Sequence, residues 1–174
     1  MSISLRADLT RRLCIDAVLL TAAMMLSYLE ALLPTALIPL PGFKLGLANV
    51  VITLAFSLIG KRDAAIISAL RIALMGLLFG TVSSFFFSAM GGLLAYLSLL
   101  LASRLLLRCS YVGVSVLCAV AHNLGQLLAA VCLFGASLLL SYLPILLFAA
   151  LLSGALTGCL LNLSVPTLKR SLQK

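Results

Sequence analysis

The sequence predicts an all-α membrane protein, a bundle of six transmembrane helices with both termini cytoplasmic. Two observations predict it. First, 64% of the 174 residues are hydrophobic, only 9% are charged, and mean hydropathy is +1.29. That leaves too little polar surface to coat a soluble globule. Second, the basic residues alternate between the breaks that separate long apolar runs. Arg6, Arg11 and Arg12 precede the first run, Lys61 and Arg62 follow the second, Arg104 and Arg108 lie in the region where the fourth ends, and Lys169, Arg170 and Lys174 follow the last. The other breaks hold only Lys44, at the edge of the first. The positive-inside rule places the first group in the cytoplasm, which makes the number of spans even.

A span needs about 20 apolar residues, at 1.5 Å of rise each. Six stretches come close: about 13–33, 45–60, 64–79, 85–107, 113–134 and 139–163. The first follows three arginines, as the core of a signal peptide would. It is too long for that and lacks a small-residue cleavage site before Pro34, so it reads as a span. The second and third are short and are expected to stand upright or to tuck inside the bundle. Three prolines between Pro34 and Gly42, the triplet Lys61-Arg62-Asp63, and the stretches 80–84, 108–111 and 135–137 punctuate the runs. No linker or low-complexity tract divides the chain, so 1–174 reads as one membrane domain.

Charge and cysteine usage bound the function further. The net charge of +8 would suggest nucleic acid in a soluble protein. Here the cations report topology, and no nucleic-acid partner is expected. Cys14, Cys109, Cys118, Cys132 and Cys159 are scattered singly with no metal-ligand spacing, so they read as small packing residues and no metal or cofactor is expected. No Walker motif is present. The four acidic residues, Asp8, Asp16, Glu30 and Asp63, are far apart and split between the two membrane faces, unlike the gathered carboxylates that hold Mg²⁺-diphosphate. No GxSxG elbow accompanies His122. The chain is not expected to be an enzyme.

Small residues recur at helical spacing: Ala23, Ser27 and Ala31, then Gly76 and Gly80, then Gly154 and Gly158. In lipid such rows let helix backbones approach closely. Packing within the bundle accounts for each row; the first offers a docking face for a partner subunit as the alternative.

Polar groups at bilayer depth carry the functional reading, because each costs several kcal/mol unless paired or hydrated. Glu30 lies near the outer end of the first span, and Lys44 and Asn49 enter the second from the same side. Arg71 lies near the middle of the third, about 12 Å below its outer end. His122, Asn123 and Gln126 lie near the middle of the fifth. His122 and Gln126 share a face at i and i+4, while Asn123 is turned about 100° from His122 toward a neighbouring helix. Glu30 can pair with Arg71 or with Lys44, and either choice leaves one positive charge, or two with His122 protonated. An anionic group entering from outside would balance that excess. The segment Pro41-Gly42-Phe43-Lys44 leads into a helix N-terminus, a natural seat for an anion. These seven residues, Glu30, Lys44, Asn49, Arg71, His122, Asn123 and Gln126, form the candidate binding set.

Leu29-Glu30, Pro34, the run Pro41-Gly42-Phe43-Lys44-Leu45-Gly46-Leu47-Ala48-Asn49, Arg71, Gly91-Gly92, Gly113-Val114-Ser115 and the run from Ala121 through His122-Asn123-Leu124-Gly125 to Gln126 together resemble one bacterial family. It is the Gx transporter family, also described as heptaprenyl diphosphate synthase component I, and the likeness runs from about residue 13 to 163. That family is similar to the substrate-capture subunits (S components) of energy-coupling-factor (ECF) transporters. The resemblance implies a binding protein of the bacterial cytoplasmic membrane that captures an anionic or amphipathic small molecule from outside and partners an ECF coupling subunit and ATPases. It implies a ligand held on the outer side, under the connection between the first two helices. The docking pattern expected on the first helix occurs in looser form as Ala23, Ser27 and Ala31. The second description implies instead a non-catalytic membrane subunit of heptaprenyl diphosphate synthase, in isoprenoid and menaquinone synthesis.

Overall fold

A computed structural model of the chain describes residues 3–32, 44, 46–105, 110–135 and 139–172. They form six helices: α1 Ile3–Leu32, α2 Asn49–Leu58, α3 Lys61–Phe79, α4 Val82–Leu105, α5 Tyr111–Phe134 and α6 Leu139–Leu172. The Pro34 to Gly42 break, Phe43, Leu45, Arg108, Cys109 and Lys174 lie outside the described residues. This is an all-α membrane protein. Four helices contain segments long and apolar enough to cross a bilayer: Leu9–Leu32, Val82–Arg104, Tyr111–Phe134 and Leu143–Ser171.

The second stretch differs from its expected form. Among its described residues 10 are helical, about 15 Å of rise against the roughly 30 Å of hydrocarbon. Residues 46–48 form instead a tight turn in which the Asn49, Val50 and Val51 N–H groups donate to the carbonyls three residues back, at 2.9, 3.0 and 3.2 Å. Gly46 opens that turn at φ +79°, a conformation that disfavours any side chain. The short helix tolerates its length because it is internal: α2 touches all five other helices. Val51, Ile52 and Ala55 of α2 pack with Leu19 and Ala23 of α1 and Ala64 and Ile67 of α3 as one core. The third helix begins at Lys61, so the charged triplet is its first turn and not a break.

α5 is wedged between α4 and α6, where glycines bring backbones into contact. A Cβ built on Gly125 would run into the Met90 carbonyl and stand 2.8 Å from the Gly91 Cα. Gly154 and Gly158 lie in the same way on Val116 and Val112 of α5. That is packing inside the bundle, as helix pairs in lipid require. Ser110 caps α5 by accepting from the Gly113 N–H at 3.2 Å. The outer faces carry Leu77, Val82, Leu163 and Phe148, each more than 70% exposed, a surface fit for lipid and not for water.

The small-residue row of α1 divides. Ala23 and Ser27 are buried, Ser27 against Arg71, and Ala31 alone is exposed. The first two therefore face the bundle interior and offer no surface to a partner.

Candidate functional site

The fold gathers the candidate residues around the turn that precedes α2. Gln126, on α5, clasps this segment at two points. Its Oε1 accepts from the Lys44 backbone N–H at 3.3 Å, and its Nε2 donates to the Lys44 carbonyl at 3.1 Å. The second Nε2 hydrogen is directed at Nε2 of His122, 2.8 Å away. Because the Lys44 N–H can only donate, the Gln126 amide orientation is fixed, and His122 Nε2 must accept. The imidazole therefore carries its proton on Nδ1, and His122 adds no charge to the site in this arrangement. The ring fits between two glycines: a Cβ on Gly46 would stand 2.9 Å from Cδ2, and one on Gly91 2.8 Å from Cε1.

Glu30 holds the same segment from α1. Its Oε1 accepts from the Leu47 N–H at 2.6 Å. The chain's own carboxylate thus meets one N–H of the turn that leads into α2, close to where an external anion was expected; Pro41, Gly42 and Phe43 of that expected seat lie outside the described residues. Among the described residues no ion pair joins Glu30 to Arg71 or Lys44, although its field reaches both. Asn123, the remaining polar group of α5, turns to α6 and donates to the Leu146 carbonyl at 2.8 Å. His122, Asn123 and Gln126 are each 2% exposed.

The cations are less well satisfied. Lys44 Nζ donates to Ser88 Oγ of α4 at 2.9 Å. Arg71 is 5% exposed, and its Nη1 donates to Ser27 Oγ of α1 at 3.0 Å. Its Nε and Nη2 have no partner among the described residues, and neither does Glu30 Oε2. The guanidinium lies over Gly92, where a Cβ would stand 3.6 Å from Nη2. Adjacent glycines of α4 thus admit two side chains from opposite neighbours, His122 of α5 through Gly91 and Arg71 of α3 through Gly92. Asn49 Nδ2 and Ser115 Oγ are likewise buried without partners, and both line a cavity of about 10 Å³ among Thr53, Ser153 and Thr157. A second cavity of that size shares Asn49. Each is of the size of one water molecule.

All seven predicted residues are therefore described, with unequal roles. Glu30 and Gln126 hold the turn, Asn123 ties α5 to α6, and His122 braces Gln126. Arg71 Nε and Nη2, Asn49 Nδ2, Glu30 Oε2, His122 Nδ1 and Asn123 Oδ1 are buried without a partner among the described residues, and Lys44 Nζ has the one bond to Ser88. Sequence reasoning gave Ser27 only a docking role on α1, and gave Ser88, Ser115 and Gly46 no binding role. Serine on an apolar helix ordinarily bonds its own preceding turn, as Ser88 also does toward the Ser84 carbonyl, so spacing carries no signal for it.

Removing the clasp has a readable consequence. Gln126→Leu is expected to raise the hydrogen-exchange rate of the Lys44 amide by about tenfold, the weight of one hydrogen bond to a buried group. Leu47, still held by Glu30, should change less. Exchange read by mass spectrometry in detergent checks both.

Fold and site together define an integral membrane protein with a buried, cation-rich polar centre and, among the described residues, no group of three or more metal-ligating side chains. The chain belongs to the heptaprenyl diphosphate synthase component I family, whose family model matches residues 19–164. No curated protein and no solved structure matches it.

Proposed function

We propose that this chain is a substrate-binding membrane subunit that captures an anionic or amphipathic small molecule and passes it to partner subunits without transforming it. The observation that carries the reading is Arg71, buried to 95% with Nε and Nη2 unpartnered among the described residues, beside a lysine and a single carboxylate whose Oε1 accepts from the Leu47 amide. Leaving a buried donor unmade costs on the order of 1–3 kcal/mol, more for a charged one. An arrangement that costs this much in the free protein is of use when a ligand supplies the acceptors. Two parallel N–H groups suit a carboxylate or phosphate. Arg71, Lys44 and Asn49 are the ligand-facing groups; Glu30, His122, Asn123 and Gln126 shape the site.

The cations Arg12, Lys61, Arg62, Arg104, Lys169 and Arg170 support an orientation with the termini in the bacterial cytoplasm. The site then lies toward the outer side, as capture from outside requires. In this reading the partners are an ECF-type coupling subunit with its ATPases, and α1 would meet them through Ala31 and its lipid-facing side.

The family description favours a second reading, a non-catalytic membrane component of a prenyl diphosphate synthase. A prenyl diphosphate has an anionic head for Arg71 and Lys44 and an apolar tail for the bundle. Native mass spectrometry of the protein purified from its own membrane separates the readings. A retained anionic ligand with ATPase subunits supports the importer, and a retained soluble prenyl synthase supports the second. Protein carrying neither ligand nor partner would refute both.

A further inference from the structure

A groove of about 570 Å³ runs between α1 and α3 at the end of the bundle that carries the N-terminus of α1, far along both helices from Glu30 and remote from the polar centre. Its walls include Leu9, Leu13, Ile66 and Leu70, each between 45% and 58% exposed, so it opens on the outside of the bundle. Four charged side chains line it. Arg12 and Asp63 satisfy one another, Nε and Nη2 both donating to Asp63 Oδ2 at 3.0 and 2.5 Å. Two charges remain over. Asp16 lies one turn deeper than Arg12, and its Oδ1 is buried with no donor among the described residues. Arg62 stands exposed at the rim with no ion pair among the described residues.

The geometry points to a lipid-binding site selective for a phospholipid with a primary ammonium head, of the phosphatidylethanolamine type. The groove offers one unpaired carboxylate, one unpaired guanidinium and an apolar bed. That is the complement of an ammonium, a phosphate diester and an acyl chain. Head-group chemistry then discriminates. An ethanolamine ammonium has three N–H donors for the buried Asp16 oxygen. A choline head carries the same charge and no donor, and a glycerol head brings no cation to balance Asp16. A guanidinium at the rim serves the phosphate of all three, so Arg62 gives affinity and Asp16 gives choice.

The test is native mass spectrometry of the detergent-purified full chain with an equimolar mixture of ethanolamine, choline and glycerol phospholipids of identical acyl chains. The ethanolamine lipid should be retained roughly tenfold over the choline lipid, the worth of one charge-assisted hydrogen bond. Asp16→Asn should reduce that ratio to about one, and Arg62→Ala should weaken all three alike. Equal retention by the unaltered chain, preference for the glycerol lipid, or a ratio unmoved in Asp16→Asn would overturn the assignment. So would a second copy or another polypeptide that displaces lipid and is itself released by Asp16→Asn. If the variants do not fold, the competition on the unaltered chain decides alone.

Discussion

Replacing Arg71 by methionine is expected to make the unliganded protein more stable while it abolishes ligand retention. The side chain is long and apolar, so it fills the space over Gly92 without carrying unpartnered N–H groups into the bundle. Exchanging a poorly satisfied buried charge for a packed apolar chain of similar volume is commonly neutral or stabilising by about 1–4 kcal/mol. The loss of the Ser27 bond opposes this only weakly, because a helical serine can turn to its own preceding carbonyl. A guanidinium that served only to hold α1 to α3 would behave in the opposite way, and its removal would lower the melting temperature. Thermal melting in detergent, paired with mass analysis of what co-purifies, reads both halves. Opposite signs for stability and retention mark a residue kept for binding.

The second large effect is at Gly125. An alanine there drives its methyl group into the Met90 carbonyl and the Gly91 Cα, both backbone, and neither can rotate away. α4 and α5 must part, at a cost of about 1–3 kcal/mol for overpacking and roughly 2–4 °C of melting temperature for each kcal/mol. The damage reaches the site as well, because Gly91 braces His122 and Gln126 follows Gly125 directly. Gly113→Ala is the control. Its added Cβ meets only Ser110 Oγ, at 3.7 Å, and alanine is the better helix former by about 1 kcal/mol. It is expected to melt no lower than the parent.

The long helices were legible because their signal is local. Hydropathy and the alternation of cations suffice for α1, α4, α5 and α6, which among the described residues are the four that qualify as spans by length and composition. The polar face of α5 was equally plain: an i, i+4 pair on a helix must meet, and His122 and Gln126 do, at 2.8 Å. The true start of α2 was hidden. Gly46-Leu47-Ala48 reads as part of the beginning of an apolar helix, and the side chains that hold this turn come from elsewhere, Glu30 on Leu47 from 17 residues away and Gln126 on Lys44 from 82. Nor does any local pattern show that Glu30 takes the Leu47 N–H just after the segment expected to seat an anion. In the same way, Ser27 counted as one step of a small-residue row, and only the packing of α1 on α3 sets it against Arg71. Contacts between distant residues decide these points, and no pattern within one helix records them.

The most direct measurement is an experimental structure of the protein purified from its native membrane, at a resolution that shows bound molecules. The account predicts a carboxylate or phosphate within hydrogen-bonding distance of Arg71 Nε and Nη2, with Glu30 still on the Leu47 amide and Gln126 still clasping Lys44. Density showing Arg71 paired instead with Glu30, with no other acceptor at its free N–H groups, would contradict it and make the buried guanidinium a purely structural tie.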